Sequence, residues 1–256
     1  MIKAGVLKKC TLYLLFSLTL VLICFLFFMY FESNKHDVIT GNIKPAEAVD
    51  CMPELTVVID PGHGGVDGGC VGSNGTTEKD INLSLSEKTY SLLSTSGMCS
   101  VMTRTEDELL YDKYNDLGDY TGKKKIYDVK NRVRITEENI SPIFISIHMN
   151  SFPDKKYSGT QVYFSPNNKD SKLLAETLQS TVTKYIQVDN TRAIKKANSS
   201  IYVLDRLTCP AVLIECGFLS NDEECILLND DIYQKKMAVV FCASILNFTE
   251  DYVNQG

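Results

Sequence analysis

Histidine is scarce in this chain, with three in 256 residues, so chemistry built on imidazole has few candidates. There is no C-x-x-C pair and no H-E-x-x-H. The second absence argues against a zincin protease. No internal repeat or low-complexity tract appears after Pro53, which leaves no sign of a solenoid or of wall-binding repeats. A basic stripe is also missing. Five of the 26 Lys+Arg and four of the 32 Asp+Glu precede residue 51, so the remainder is mildly acidic and nucleic-acid binding is not expected. Nine cysteines are present, but the seven outside the N-terminal apolar run are odd in number and irregularly spaced. They do not read as a disulfide framework, although Cys209, Cys216 and Cys225 are close enough for one bridge.

Charge is absent from one long stretch. Cys10 to Phe31 is 22 residues without a charged side chain, and only Thr11, Ser17 and Thr19 are not hydrophobic. That exceeds the ~20 apolar residues a helix needs to cross the hydrocarbon core. Lys3, Lys8 and Lys9 precede it, so the positive-inside rule puts residues 1–9 in the cytoplasm and the rest outside. A cleaved signal peptide is the alternative. The run is longer than an ordinary ~7–15-residue signal core, and the A-x-A pattern at Ala46-Glu47-Ala48 lies well beyond it. Ile23 argues against a lipobox at Cys24. The reading is therefore an uncleaved signal anchor over 10–31, a linker over 32–53 and one domain over 54–252.

Within that domain, Leu55–Ile59 is a β-branched run closed by Asp60-Pro61-Gly62. The pattern predicts strands at Cys99–Thr103, Ile143–Ile147, Thr160–Phe164, Ile201–Leu204 and Ala211–Ile214. It predicts helices at Glu78–Ser96, Ile126–Asn139, Asp170–Tyr185, Asn221–Leu228 and Ile232–Phe248. Strands alternating with helices define an α/β domain with a mostly parallel twisted sheet flanked by helices. Function in such sheets collects beyond the carboxyl ends of the strands. His63, His148 and Glu215 each fall at such an end.

His63 sits among glycines in Asp60-Pro61-Gly62-His63-Gly64-Gly65, where few side chains crowd an approaching ligand. Taken alone, it is an ordinary loop histidine. His148, at the end of an apolar strand, is taken alone a buried and satisfied one. Together they favour a shared metal, since catalytic zinc commonly takes three His or Asp/Glu ligands and one water. His36 lies in the linker, so the third ligand should be a carboxylate. Glu78, at the start of a helix, is the leading candidate, with Asp60 and Asp67 as competitors. Helix-dipole compensation is its bland role, and Asp60 is better placed to brace the turn. Glu215 ends the apolar run Ala211–Ile214 and must be paired, bound to metal or catalytic, because burying a bare charge is costly. It is either the general base of a metal hydrolase or the partner of Arg104, Arg132 or Arg192.

These segments resemble the motifs of the zinc-dependent N-acetylmuramoyl-L-alanine amidases of the type-3 amidase family. The likeness is carried by Val58–Gly65, Glu78–Leu83, Ser146–Ser151 and Ile214–Asn221, in that order, and by Thr103-Arg104, Arg132, Gly159–Val162 and Asn190–Arg192. It spans roughly Thr56 to Phe248. The resemblance implies one zinc per chain on His63, Glu78 and His148, with Glu215 as the catalytic glutamate and Arg192 as a candidate helper. It implies cleavage of the amide between the lactyl group of N-acetylmuramic acid and L-alanine in peptidoglycan.

Some members carry a long helix after the second histidine motif that blocks the zinc until an activator arrives. Here only Phe152–Ser158 separates the motif from Gly159, so that device is not expected. A compact domain on an anchor looks most like the family's germination-specific spore-cortex branch. That branch implies an extracytoplasmic site between forespore and mother cell, and a muramic-acid deacetylase acting alongside to form muramic-δ-lactam. With no internal regulator, an extracytoplasmic accessory protein is expected. A vegetative autolysin, an inactive wall-binding module, or another zinc hydrolase such as a wall endopeptidase or sugar deacetylase are the competing readings.

Overall fold

The computed structural model describes residues 55–254. The anchor, the cytoplasmic segment and all of the linker before Leu55 lie outside the described residues, within which no helix is long and apolar enough to cross a membrane. In chain order the elements are β1 (Thr56–Pro61), α1 (Glu78–Thr95), β2 (Ser100–Met102), α2 (Lys124–Glu137), β3 (Pro142–Asn150), β4 (Gln161–Phe164), α3 (Asp170–Tyr185), β5 (Lys195–Lys196), α4 (Tyr202–Arg206), β6 (Ala211–Phe218), α5 (Asp222–Asn229) and α6 (Asp231–Asn254). Six strands form one sheet in the order β2-β1-β3-β6-β4-β5. Every neighbouring pair is parallel except β4 and β6. The expected mostly parallel α/β architecture is what the chain adopts.

Period-two alternation explains how the sheet is sandwiched. Val57, Ile59, Ile143, Ile145, Ile147, Val212 and Ile214 face one side, where α1, α3 and α6 bury Leu85, Leu178 and Phe241 against them. The intervening residues Val58, Phe144, Ala211 and Leu213 face the other side. There the cover is thinner, supplied by Val133 of α2 and by Val203 and Leu204 of α4. On this second face the apolar row gives way to polar residues toward the strand ends: Asp60 follows Val58, Ser146 and His148 follow Phe144, and Glu215 follows Leu213. Register then aligns them, with Asp60 beside Ser146 and His148 beside Glu215.

Two expectations need correction. Ile201–Leu204 is not a strand; Tyr202–Arg206 is a short helix that buries Val203 and Leu204. A four-residue apolar run carries no periodicity that separates the two states. The remaining strand is instead β5, Lys195–Lys196, whose exposed lysines give no apolar pattern to read. No disulfide joins Cys209, Cys216 and Cys225, which are all free thiols.

Candidate metal and proton-transfer centre

The loop after β1 is held by its backbone. Arg132 of α2, buried, donates to the carbonyls of Pro61 and His63 and to the carboxylates of Asp60 and Asp128. Arg104 donates to the carbonyls of Pro61, Gly62, Lys79 and Glu106. Two guanidinium forks thus satisfy carbonyls that a tight glycine-rich loop would otherwise leave orphaned. Asp60 takes hydrogen bonds from Thr103 (2.6 Å) and Ser146 (2.7 Å) as well as from Arg132. Burial alone would raise its carboxyl; Arg132 and the two hydroxyls outweigh that and hold it below the ordinary value. Asp60 is therefore a brace, as its position before Pro61-Gly62 suggested, and not a ligand.

Held this way, His63 adopts φ 61°, a left-handed conformation that costs a non-glycine residue about 1–3 kcal/mol and persists where the surroundings over-determine it. Its Nε2 lies 3.2 Å from Glu78 Oε1, and His148 Nδ1 lies 2.9 Å from the same oxygen. The three donor atoms all lie within 4.8 Å of one another. Ligand atoms that share a tetrahedral zinc at 2.0–2.1 Å bonds sit ~3.3 Å apart, so two edges of the triangle already match that spacing. The donor set, two imidazoles and one carboxylate, is that of a catalytic zinc site. The residues present fit the metal that the sequence resemblance implies.

Glu78 is oriented from the other side as well. Its Oε1 accepts from Met149 N–H (3.0 Å) and its Oε2 from Cys70 N–H (2.9 Å). Asn82, one turn along α1, donates to Oε1 at 3.4 Å and to the Gly62 carbonyl at 3.1 Å. Burial alone would push the Glu78 carboxyl up, but His148 and His63 hold it well below the carboxylate range. Two glycines are required here. A Cβ on Gly62 would run into the His148 ring, and one on Gly69, at φ 68°, would run into the Glu78 carboxylate. Behind His63, Asp67 Oδ2 lies 3.1 Å from Nδ1, and Lys125 Nζ lies 3.2 Å from that same oxygen. A carboxylate behind a ligating imidazole fixes its tautomer and ring orientation. Burial lowers the His63 pKa, but Glu78 and Asp67 together raise it above the ordinary value.

Glu215 has different surroundings. Its Oε2 is buried with no hydrogen-bond partner. Arg104 and Arg132 are committed to the β1 loop, so neither is the partner that one reading of the sequence allowed. Burial, reinforced by Glu78 and opposed by His148, His63 and Arg192, pushes its carboxyl up to about 7. Arg192 Nη2 donates to Gln161 Oε1 at 2.6 Å, and its guanidinium lies over the Phe218 ring at 4.8 Å. Gln161 in turn is the strand neighbour of Glu215 across β4 and β6. Arg192 Nε is also buried without a partner. A cleft of about 260 Å³ brings His63, His148 and Glu215 to one surface.

Sequence reasoning named His63, Glu78, His148, Glu215 and Arg192, and the fold brings the first four together. It gave no role to Asn82 or Lys125, and weighed Asp67 only as a competing ligand. Asn82 has a readable signal, four residues after Glu78 and so on the same helix face. Lys125 has none.

Comparison with known proteins agrees with this geometry. Residues 57–247 match the family described as N-acetylmuramoyl-L-alanine amidase, and the chain belongs to that family. It is 32% identical over 244 residues to the germination-specific N-acetylmuramoyl-L-alanine amidase of Bacillus subtilis strain 168, covering 95% of this chain and 97% of that one. Among solved structures it resembles the CwlD amidase from Clostridioides difficile, determined in complex with the GerS lipoprotein. The TM-score is 0.69 at 38% identity, over 76% of this chain and 98% of that chain. AmiC2 of Nostoc punctiforme, another N-acetylmuramoyl-L-alanine amidase, matches with TM-score 0.64 at 31% identity over 77% and 98%.

Proposed function

We propose that this protein is a zinc amidase that hydrolyses the bond between the lactyl carbonyl of N-acetylmuramic acid and the nitrogen of L-alanine. The observation that carries the reading is the pairing of a converged His63–Glu78–His148 donor set with Glu215, whose Oε2 is buried without a hydrogen-bond partner. When bound, zinc supplies a Lewis acid that acidifies water and polarises a carbonyl. Glu215, raised toward neutrality by burial, accepts the proton of the attacking water and returns it to the departing amine of L-alanine. Arg192, held beside Glu215 through Gln161, stabilises negative charge that develops on the lactyl oxygen. Asp67 keeps the His63 ring in position.

In the same reading, residues 54–252 form the catalytic domain and residues 10–31 anchor it outside the cytoplasmic membrane. The substrate is spore-cortex peptidoglycan, where amide cleavage followed by a deacetylase leads to muramic-δ-lactam. Similarity over nearly the whole length of a germination-specific amidase supports this branch. An extracytoplasmic accessory protein is part of the proposal, supported by the relative solved in complex with a lipoprotein.

The test is product analysis of purified peptidoglycan treated with the zinc-loaded enzyme. New L-alanine amino termini, with no new reducing sugar ends, are expected. New reducing ends with peptides still attached would overturn the reading.

A further inference from the structure

The cleft that holds the site continues past it, along Lys125 and Val129 of α2 and along Ile201, Tyr202 and Val203. Two cations line it. Arg132 is buried and spent on Asp60, Asp128 and two carbonyls. Lys125 is not: its side chain is 73% exposed, and its partner Asp67 is already engaged with His63. An ion pair that open to water is worth little, so the ammonium is available to a second anion at small cost. Nothing in α2 calls for a cation at this place. Lys125 lies in the first turn, which carries no acidic residue and where the helix dipole disfavours positive charge.

We propose that Lys125 is a specificity-determining residue that receives a carboxylate on the second residue of the departing peptide. This rests on the amidase reading above. Reach supports the assignment. From Lys125 Nζ to His63 Nε2 the path is one contact of 3.2 Å to Asp67 Oδ2, one of 3.1 Å to Nδ1, and the width of an imidazole. Two extended residues span at most ~7 Å, so a group on the second residue beyond the scissile nitrogen falls within that range. In peptidoglycan the second residue is a glutamate linked through its side chain, whose remaining carboxyl is either free or amidated. The free form matches an exposed ammonium beside the apolar wall of Ile201, Tyr202 and Val203; the amide does not.

The experiment compares kcat/KM on two muramoyl-peptides that differ only in that carboxyl, free against amidated, using the zinc-loaded full chain. The ratio is the readout, so a general loss of activity or folded protein cancels. Wild type should favour the free carboxylate by about fivefold at low salt, and the preference should shrink at 1 M salt. Lys125→Met should bring the ratio close to one, while Lys125→Arg should keep it. Equal cleavage of both substrates by wild type, or an unchanged ratio in Lys125→Met, overturns the role of Lys125 and leaves the amidase reading standing. Cleavage of neither substrate by wild type overturns the amidase reading, and the Lys125 role with it.

Discussion

The two ends of the site are built in opposite ways. At the donor corner the Glu78 carboxylate is fully engaged, taking both imidazoles, two backbone N–H groups and Asn82, and the His63 loop hangs from two arginine forks, although His63 Nδ1, beside Asp67, and Asn82 Oδ1 make no hydrogen bond of their own. At the other corner Glu215 and Arg192 each leave a buried atom without a partner. A metal-binding set gains from rigidity, because ligands held in place in advance do not lose entropy when the ion arrives. A proton carrier gains from the reverse, since a fully hydrogen-bonded carboxylate would hold its charge and be a weak base. The contrast ascribes metal retention to one corner and proton transfer to the other, and each can be broken separately.

The largest expected effect is at the proton-transfer corner. Glu215→Gln should lower kcat by roughly 10²–10⁴-fold, measured by release of L-alanine amino termini. Thermal stability should not fall, because the substitution removes a buried charge that has no partner. Next comes the brace. Arg132→Met leaves Asp60 buried without its counter-charge and should cost about 3–5 kcal/mol in denaturant unfolding. Smaller again is Asp67→Asn, which keeps the shape behind His63 but removes the charge. A tenfold to hundredfold loss of zinc affinity is expected in a competition titration with a chelator, with Glu215-dependent proton transfer unaffected once zinc is saturating.

The smallest effect is on the pH dependence of stability. Asp60 has a folded pKa below its ordinary value of 3.8, so the stability it contributes is present above that value and lost as pH falls through the folded one. Urea unfolding of wild type should therefore lose stability below about pH 4, and Asp60→Asn should flatten that part of the profile.

Much of this division was legible in the sequence. The carboxyl ends of the apolar runs pointed to His63, His148 and Glu215, because function collects there and a charge closing a buried strand has few places to go. Glu78 was legible through its position at the first turn of the next helix. What was not legible depends on long-range proximity. Lys125 meets Asp67 across a sequence separation of 58, and no local pattern announces that pairing. The commitment of Arg104 and Arg132 to loop carbonyls was hidden for the same reason, which left them open as partners of Glu215. Ile201–Leu204 failed for a local reason, being too short for its periodicity to distinguish helix from strand.

The contrast between the corners is tested most directly by zinc stoichiometry across four variants, measured by elemental analysis after dialysis against a weak chelator. Wild type and Glu215→Gln should each retain one zinc per chain, while His63→Ala, Glu78→Ala and His148→Ala should each retain almost none. Loss of zinc from Glu215→Gln, or full retention by any of the other three, would contradict the assignment of metal binding to one corner and proton transfer to the other.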